Sequence, residues 1–475
     1  MRILLVTYWG LTNMGGIWTY MKQLSDQLVR QGHSVTLMGS HAEENKLYLL
    51  GRTESFDKKA YYNALLPYLD PGRFPHLHLE HGIFSFELGR YAFEGGAAVL
   101  GLHNYDIIHA QDPISSYAIR RIMTAPVPLV TSIHGALSRE AFYEYKGLEP
   151  GLTWEAYEQR PICRYFRRME ELGALAADSI LVSSRWIGKL VRGAGVREER
   201  IHTVPYGLNL GDYDVKAAQP SPFRPPGGTK VIMYAGRLEY IKGVHVLLGA
   251  LGEVFRSRRD WICIIAGVGS LGEELQAQAR ELGIGEQVVF AGKVDNIPAA
   301  LSGADIYVQP SLQDTQPYSV TEAQLAGIAP IVSGTAGMPE MVEHGNTGWI
   351  VPPEDSGALA GLLLQLLGDD GLRAKTGQAA RVWALHTRSL ALMTESTLNV
   401  YRRTLGTHAM RYHAEGAANA VSGAAEGRKR LADAFHPAGL LNALNPADPL
   451  APLLYRSLPV NYAIPDGRIA SIAEN

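Results

Sequence analysis

The sequence predicts an α/β protein built of two parallel-sheet domains. Three observations carry that prediction. The chain has 475 residues, too many for one ordinary core. Short β-branched runs alternate with helix-compatible segments in both halves, the pattern of parallel βαβ units. The alternation breaks at a proline-rich stretch, KAAQPSPFRPPGGT (216–229), and restarts at Val231, which reads as a linker between two units.

Bulk chemistry narrows the function classes. A hydrophobic share of 46% and a charged share of 19% are those of a soluble globular protein. A formal net charge of -3 offers no global field for nucleic acid or an anionic membrane. The two cysteines, Cys163 and Cys263, stand far apart with no Cys/His cluster near them, so neither a disulfide framework nor a zinc site is predicted. A reducing cytoplasm is the expected location. The start, MRILLVTYWG, reads as a first strand and not as a signal peptide. No apolar run approaches the ~20 residues of a membrane-spanning helix.

Arg2 to Tyr8 is a buried-strand run, followed by a loop from Gly10 to Gly16 and a helix from Ile17 to Arg30. Gly32 ends that helix, and SVTLM is the second strand. Gly15 and Gly16 at the helix start can present amides to a phosphate, although a tight turn also wants glycine. The aromatic-rich region Tyr61 to Leu102 suits ordinary packing better than an acceptor groove. IIHAQDP (107–113) and LVTSIHG (129–135) each place a histidine after an apolar run. Arg160, Arg164, Arg167 and Arg168 stud a helix that Glu170 and Glu171 interrupt, hence a solvated face before a membrane-docking one.

In the second half, Val231 to Ala235 is a strand, and GRLEYIKG (236–243) follows it. Arg237 and Lys242 stand five apart where a helix begins, and the helix dipole disfavours cations there. Two of them predict a shared anion, and a fork plus a point charge suits a diphosphate. WICIIAGVGSLGEEL and VVFAGKV (288–294) supply further strands, and the G-x-G of the first lacks a dinucleotide fingerprint. The stretch Pro310 to Asp355 then runs through a polar turn, a helix from Ser319 to Ala326 and a strand from Ile328 to Val332. Asp314 and Glu322 lie eight positions apart, one in the turn and one in the predicted first helical turn. Free amides at that helix start predict an anion site. Gly334, Gly337 and Gly345 are expected to let backbone approach a ligand closely.

Taken together, the D-x7-E pair, GRLEYIKG, the I-H-G context of His134, Gly15-Gly16 and VPYGLNLGDY (204–213) resemble the family 4 glycosyltransferases, retaining enzymes of the GT-B fold. The resemblance covers roughly the first 400 residues. It implies two Rossmann-like domains, at 1–210 and 211–385, and a helix (386–405) crossing back to the first. It implies a nucleotide-diphosphate-sugar donor, a UDP-sugar favoured over GDP- or ADP-sugars, with no metal and no other cofactor. The acceptor would be a glycan, a lipid-linked sugar or a small molecule, as in polysaccharide biosynthesis.

The resemblance also assigns residues. Arg237 and Lys242 hold the donor's phosphates, and His134 hydrogen-bonds a donor sugar hydroxyl and helps stabilise the transition state. Glu322 binds the ribose, and Asp314 faces the sugar and its developing charge. Gly15, Gly16, Val294, Gln316, Tyr318 and Ser319 complete the donor site, Val294 beside the nucleobase. Two departures stand out: Asp314 replaces the usual glutamate, and Pro317 replaces a frequent glycine and removes one N–H from the phosphate cradle. They keep open a non-catalytic GT-B scaffold or partner subunit, and a nucleotide-sugar 2-epimerase is the other alternative. The tail, 406–475, lies outside the resemblance. Its Ala/Gly-rich start reads as a linker, and Leu431 to Asn475 is apolar enough to dock on its own chain before a membrane or another subunit.

Overall fold

The structure, a computed structural model, describes residues 1–11, 15–41, 43–67, 69–223, 227–419, 450–459, 462–470 and 472. Fourteen strands among them form two sheets. The first contains β1 (Arg2–Gly10), β2 (Ser34–Ser40), β3 (Lys46–Leu49), β4 (Ser55–Asp57), β5 (Ile107–Ala110), β6 (Leu129–Ile133), β7 (Ser179–Val182) and β8 (Ile201–Thr203), in the order β4-β3-β2-β1-β5-β6-β7-β8. Pairing is parallel from β2 through β8, whereas β3 and β4 add an antiparallel edge. The second contains β9 (Lys230–Ala235), β10 (Trp261–Ala266), β11 (Val288–Gly292), β12 (Ile306–Gln309), β13 (Pro330–Ser333) and β14 (Trp349–Val351). All its pairs are parallel, in the order β11-β10-β9-β12-β13-β14.

The strand side chains explain the layers. Successive residues of a strand point to opposite faces, and a parallel central strand is apolar on both. In β1, Leu4 and Val6 enter one core with Tyr91, Phe93 and Ile119, while Ile3 and Leu5 enter another with Met21, Leu24 and Met393. β9 repeats the division: Ile232 and Tyr234 face one core, Val231 and Met233 the other. Each sheet is therefore covered by helices on both faces.

The linker is less featureless than its composition suggests. Helix Leu210–Ala217 takes its first residues, and Phe223 packs against the core beneath β9. The chain returns after helix Asp370–Thr387: Ser389 bridges to Leu208, and helix Leu390–Asn419 packs on Gly16–Arg30. Tyr401 on that helix meets His109 Nδ1 at 2.7 Å, and Ser132 Oγ takes the other ring nitrogen at 2.8 Å. His109 is thus a buried tie between sheet and returning helix, and burial lowers its pKa to about 3.

The helix does not stop at Gly406, where the composition predicts a linker; it continues to Asn419. The alanines around it are strong helix formers, and one glycine detracts only ~1 kcal/mol. Residues 420–449 of the tail lie outside the described residues. Helix Leu450–Ser457 and helix Gly467–Ala470 seat on the first unit, where Leu454 joins the core with Tyr61 and Tyr91.

Candidate active site

The carboxyl ends of the strands of both sheets open on one cleft of about 740 Å³, the place where ligands bind open parallel sheets. From the first sheet come Gly15 and Gly16 after β1, Gln111 after β5, and His134 and Glu140 after β6. From the second come Arg237 and Lys242 after β9, Gly267 after β10, Lys293 and Val294 after β11, and Asp314 to Ser319 with Glu322 after β12. The eleven residues to which the family resemblance gave a catalytic or donor-binding role all line this space.

The cation loop is fixed by backbone. Gly243 has φ +67, and a Cβ there would lie 2.1 Å from the Pro310 carbonyl oxygen. Only glycine lets the loop after Lys242 lie against the end of β12. Lys242 Nζ, so placed, meets Asp314 Oδ2 at 2.5 Å. Arg237 is exposed on the cleft wall and makes no ion pair among the described residues.

Pro317 caps helix Tyr318–Leu325 with φ -63, the value its ring prefers. Of the first-turn amides of this helix, that of Val320 donates to the Pro317 carbonyl at 3.2 Å, whereas those of Tyr318 and Ser319 have no intrahelical acceptor. The side chains here are engaged elsewhere. Gln316 exchanges two hydrogen bonds with the Tyr206 backbone, at 2.9 and 3.0 Å. Tyr318 stacks on Tyr206 at 5.5 Å between ring centres, and Ser319 Oγ donates to Gln309 at 3.2 Å. What Gln316 and Ser319 offer a ligand is chiefly backbone, whereas the Tyr318 hydroxyl is buried without a hydrogen-bond partner among the described residues. Glu322 is the fifth residue of the helix, so it stands in the second turn and not the first. Its burial holds the carboxyl up at about 7, with Lys216 opposing weakly.

His134 is held on both ring nitrogens. Tyr206 hydroxyl meets Nδ1, and Gln111 Oε1 meets Nε2 at 3.1 Å. Gln111 presents its oxygen because its amide nitrogen donates to the His109 carbonyl at 3.1 Å. Nε2 therefore carries the proton, and Nδ1 accepts from the tyrosine. Burial lowers the imidazole pKa to about 3, so the ring is neutral. Thr315 Oγ1 donates to the His134 carbonyl at 2.8 Å, joining the two units at the cleft floor.

Some expectations are corrected. Gly334, Gly337 and Gly345 do not line the cleft. Gly337 instead donates to the Asp314 carbonyl at 3.1 Å, and a Cβ on it would lie 2.4 Å from the Thr315 oxygen. It serves backbone packing under the acidic turn. The arginine-studded helix, Pro161–Ala176, is paired: Arg160 with Glu149 at 2.6 Å, Arg168 with Glu171 at 2.6 Å, and Arg167 with Glu158. The sequence reading missed Glu140, Glu144 and Gln111 in the cleft. The four-residue spacing of Glu140 and Glu144 on an otherwise amphipathic helix was the available signal. Among the described residues no helix is long and apolar enough to cross a membrane, and no group of three acidic, histidine or cysteine side chains is placed to hold a metal ion.

Two parallel-sheet units with a cleft at their strand ends define a GT-B protein. The model of "Glycosyl transferases group 1" matches residues 215–383, and that of "Glycosyltransferase Family 4" matches residues 14–212. The chain belongs to the group 1 glycosyltransferases, and its activity class is glycosyl transfer. Among its relatives is an uncharacterized glycosyltransferase of Methanocaldococcus jannaschii, 25% identical over 85% of this chain and 98% of that one. A phosphatidyl-myo-inositol mannosyltransferase of Mycolicibacterium smegmatis is 24% identical over 88% of this chain and 98% of that one. The fold matches that of HepE of Anabaena, solved in complex with UDP-glucose, with a TM-score of 0.58 and 19% identity over 85% of this chain and 100% of that chain.

Proposed function

We propose that this protein is a retaining, metal-independent glycosyltransferase that uses a nucleotide-diphosphate sugar, with a UDP-sugar as the favoured donor. The observation that carries the reading is that Arg237, Lys242 and the helix-start residues Tyr318 and Ser319, whose amides open helix Tyr318–Leu325, line one cleft with Asp314 and Glu322. Departure of a nucleoside diphosphate builds negative charge, and these fixed cations and dipoles stabilise it without reorganising. The HepE complex supports the choice of UDP-glucose as the first donor to try.

In this reading Glu322 accepts hydrogen bonds from the ribose and Val294 lies beside the base. Gly15 and Gly16 let the donor or acceptor approach, since a Cβ on either would meet nothing within 4 Å. Neutral His134 donates a hydrogen bond from Nε2–H to a sugar hydroxyl once Gln111 yields. Asp314, already paired with Lys242, faces the sugar. No side chain is placed as an obvious nucleophile, so the leaving phosphate takes the acceptor's proton on the face it vacates, and configuration is retained. The acceptor is a sugar-containing molecule bound on the first unit, and the cytoplasm is the compartment where such donors are made available.

Release of nucleoside diphosphate from UDP-, GDP- and ADP-sugars, with and without sugar acceptors, tests the proposal. Transfer with retained anomeric configuration in the presence of a chelator supports it. Binding without transfer to any acceptor leaves the scaffold reading standing in its place.

A further inference from the structure

One carboxyl in the cleft has no part in the roles above. Glu140 is the fourth residue of helix Leu137–Leu148, which starts just beyond His134 and packs against Tyr240–Lys242. Its side chain lies so close over Gly135 that a Cβ there would sit 1.7 Å from Oε1. Glycine at 135 therefore makes room for the carboxyl. Glu140 shares the cleft wall with His134, Arg237, Lys242 and Asp314. It makes no ion pair and accepts no side-chain hydrogen bond among the described residues, because Lys242 is committed to Asp314.

The groups facing Glu140 come from every neighbouring element. Lys242 and Arg237 favour its anion, whereas Asp314 from the acidic turn and Glu170 from helix Pro161–Ala176 disfavour it. His134 is neutral and adds no charge. Burial outweighs the cations and holds the carboxyl up at about 7. A half-buried carboxyl without a partner, on the same cleft wall as two cations, is suited as the neutral acid to donating a hydrogen bond to an anion that those cations hold.

We propose that Glu140 is a donor-contacting residue that, as the neutral acid, donates a hydrogen bond to an oxygen of the diphosphate held by Arg237 and Lys242. The inference rests on the donor reading above. When ionised Glu140 meets the donor, one proton is taken from solvent to its carboxylate oxygen, and no bond to carbon forms or breaks. The bound diphosphate adds negative charge beside the carboxyl and raises its proton affinity further. Glutamine keeps a donor at this place without titrating, and alanine removes it.

Calorimetric titration with UDP-glucose tests this, because the charge of its diphosphate diester is constant across neutral pH. Wild type, Glu140→Gln and Glu140→Ala are each titrated at about pH 8 in two buffers of different ionisation enthalpy, and then across pH. Wild type should take up a proton on binding, and its affinity relative to Glu140→Gln should fall by up to about tenfold per pH unit above 7. Comparison with Glu140→Gln cancels the contribution of Glu322, which titrates in the same range. Glu140→Ala should bind about tenfold or more weakly than Glu140→Gln at that pH. Equal proton uptake in wild type and Glu140→Gln, or equal affinity of the alanine and glutamine variants, overturns the inference while leaving the donor reading intact. If wild type binds none of UDP-glucose, GDP-mannose and ADP-glucose, the donor reading falls and this inference with it.

Discussion

Lys242 Nζ and Asp314 Oδ2 are 2.5 Å apart, with side chains only 18% and 13% exposed. The two residues come from different strand ends of one sheet, so the ion pair fixes the acidic turn against the cation loop. Lys242 is thus both a proposed phosphate ligand and the counter-charge of Asp314. Arg237 has no such second duty.

That difference separates two variants. Arg237→Ala and Lys242→Ala should each lower turnover by about 10²–10³-fold, as for loss of one preorganised charge stabiliser. Only Lys242→Ala should also lower stability, by roughly 2 kcal/mol, below the ~3–5 kcal/mol of a fully buried pair because the cleft admits water. Steady-state kinetics with thermal melts reads both effects. Unchanged turnover in both variants rejects the clamp.

The acidic pair divides by ligand. Asp314→Asn should reduce turnover more than affinity for bare UDP, since its proposed contact is with the sugar. Glu322→Gln should weaken UDP and UDP-glucose alike, since both carry the ribose. Parallel titrations with the two ligands decide, and an equal loss of both ligands in Asp314→Asn would remove the sugar-side role.

Glu322 also makes a pH prediction for the free protein. Its carboxyl titrates at about 7 when folded and near 4.5 when unfolded. The folded state thus holds the proton more tightly, and stability from this group is full below about 4.5 and lost as pH rises to about 7. Glu322→Gln escapes that loss. The variant should melt a few degrees above wild type at about pH 8, and the gap should close as pH falls toward about 4.5. A gap that stays constant with pH would show that burial does not perturb this carboxyl.

The residues that were legible in the sequence are those whose chemistry conflicts with a bland reading. Arg237 and Lys242 at a helix start oppose the dipole, and Asp314 and Glu322 share one turn-helix unit. Both signals are local. Glu140 sits on a helix whose packing is set across the cleft, by residues about a hundred positions away in sequence, so its four-residue spacing from Glu144 marks a shared helix face but not the cleft that face lines. Gln316 and Tyr318 line the cleft, but their side chains turn inward to Tyr206, a long-range contact. Gly337 misled because a glycine that admits backbone and one that admits ligand look the same in sequence. The helix through Gly406 was missed because its support comes from the first unit, as where Thr404 meets Ser179 at 2.8 Å.

The last prediction concerns how the tail is held. Arg90 is buried on helix His81–Leu100 and pairs with Glu87 at 2.6 Å and Glu94 at 2.5 Å. Asp466 of the tail reaches the same group, at 3.4 Å from Arg90 and 2.6 Å from Arg121. Tyr117 donates to Asp466 at 2.6 Å, and Tyr462 donates to Glu94 at 2.6 Å. Two arginines and three carboxylates out of water are tolerable only when all are paired. Arg90 and Arg121 together pull the Asp466 carboxyl below its ordinary range against the opposing effect of burial. Asp466→Ala should therefore lower stability by roughly 1–3 kcal/mol, because it leaves Arg121 Nη1 and the Tyr117 hydroxyl without their acceptor, while Glu87 and Glu94 still balance the two arginines. Asp466→Asn should recover part of this, since it keeps an acceptor for Tyr117. Neither change touches the cleft, so UDP-glucose affinity below the melting temperature should match wild type. Thermal melts, and a protease time course followed at the C-terminus, measure the effect. A melting temperature within a degree of wild type for Asp466→Ala would show that the tail is not anchored through this cluster.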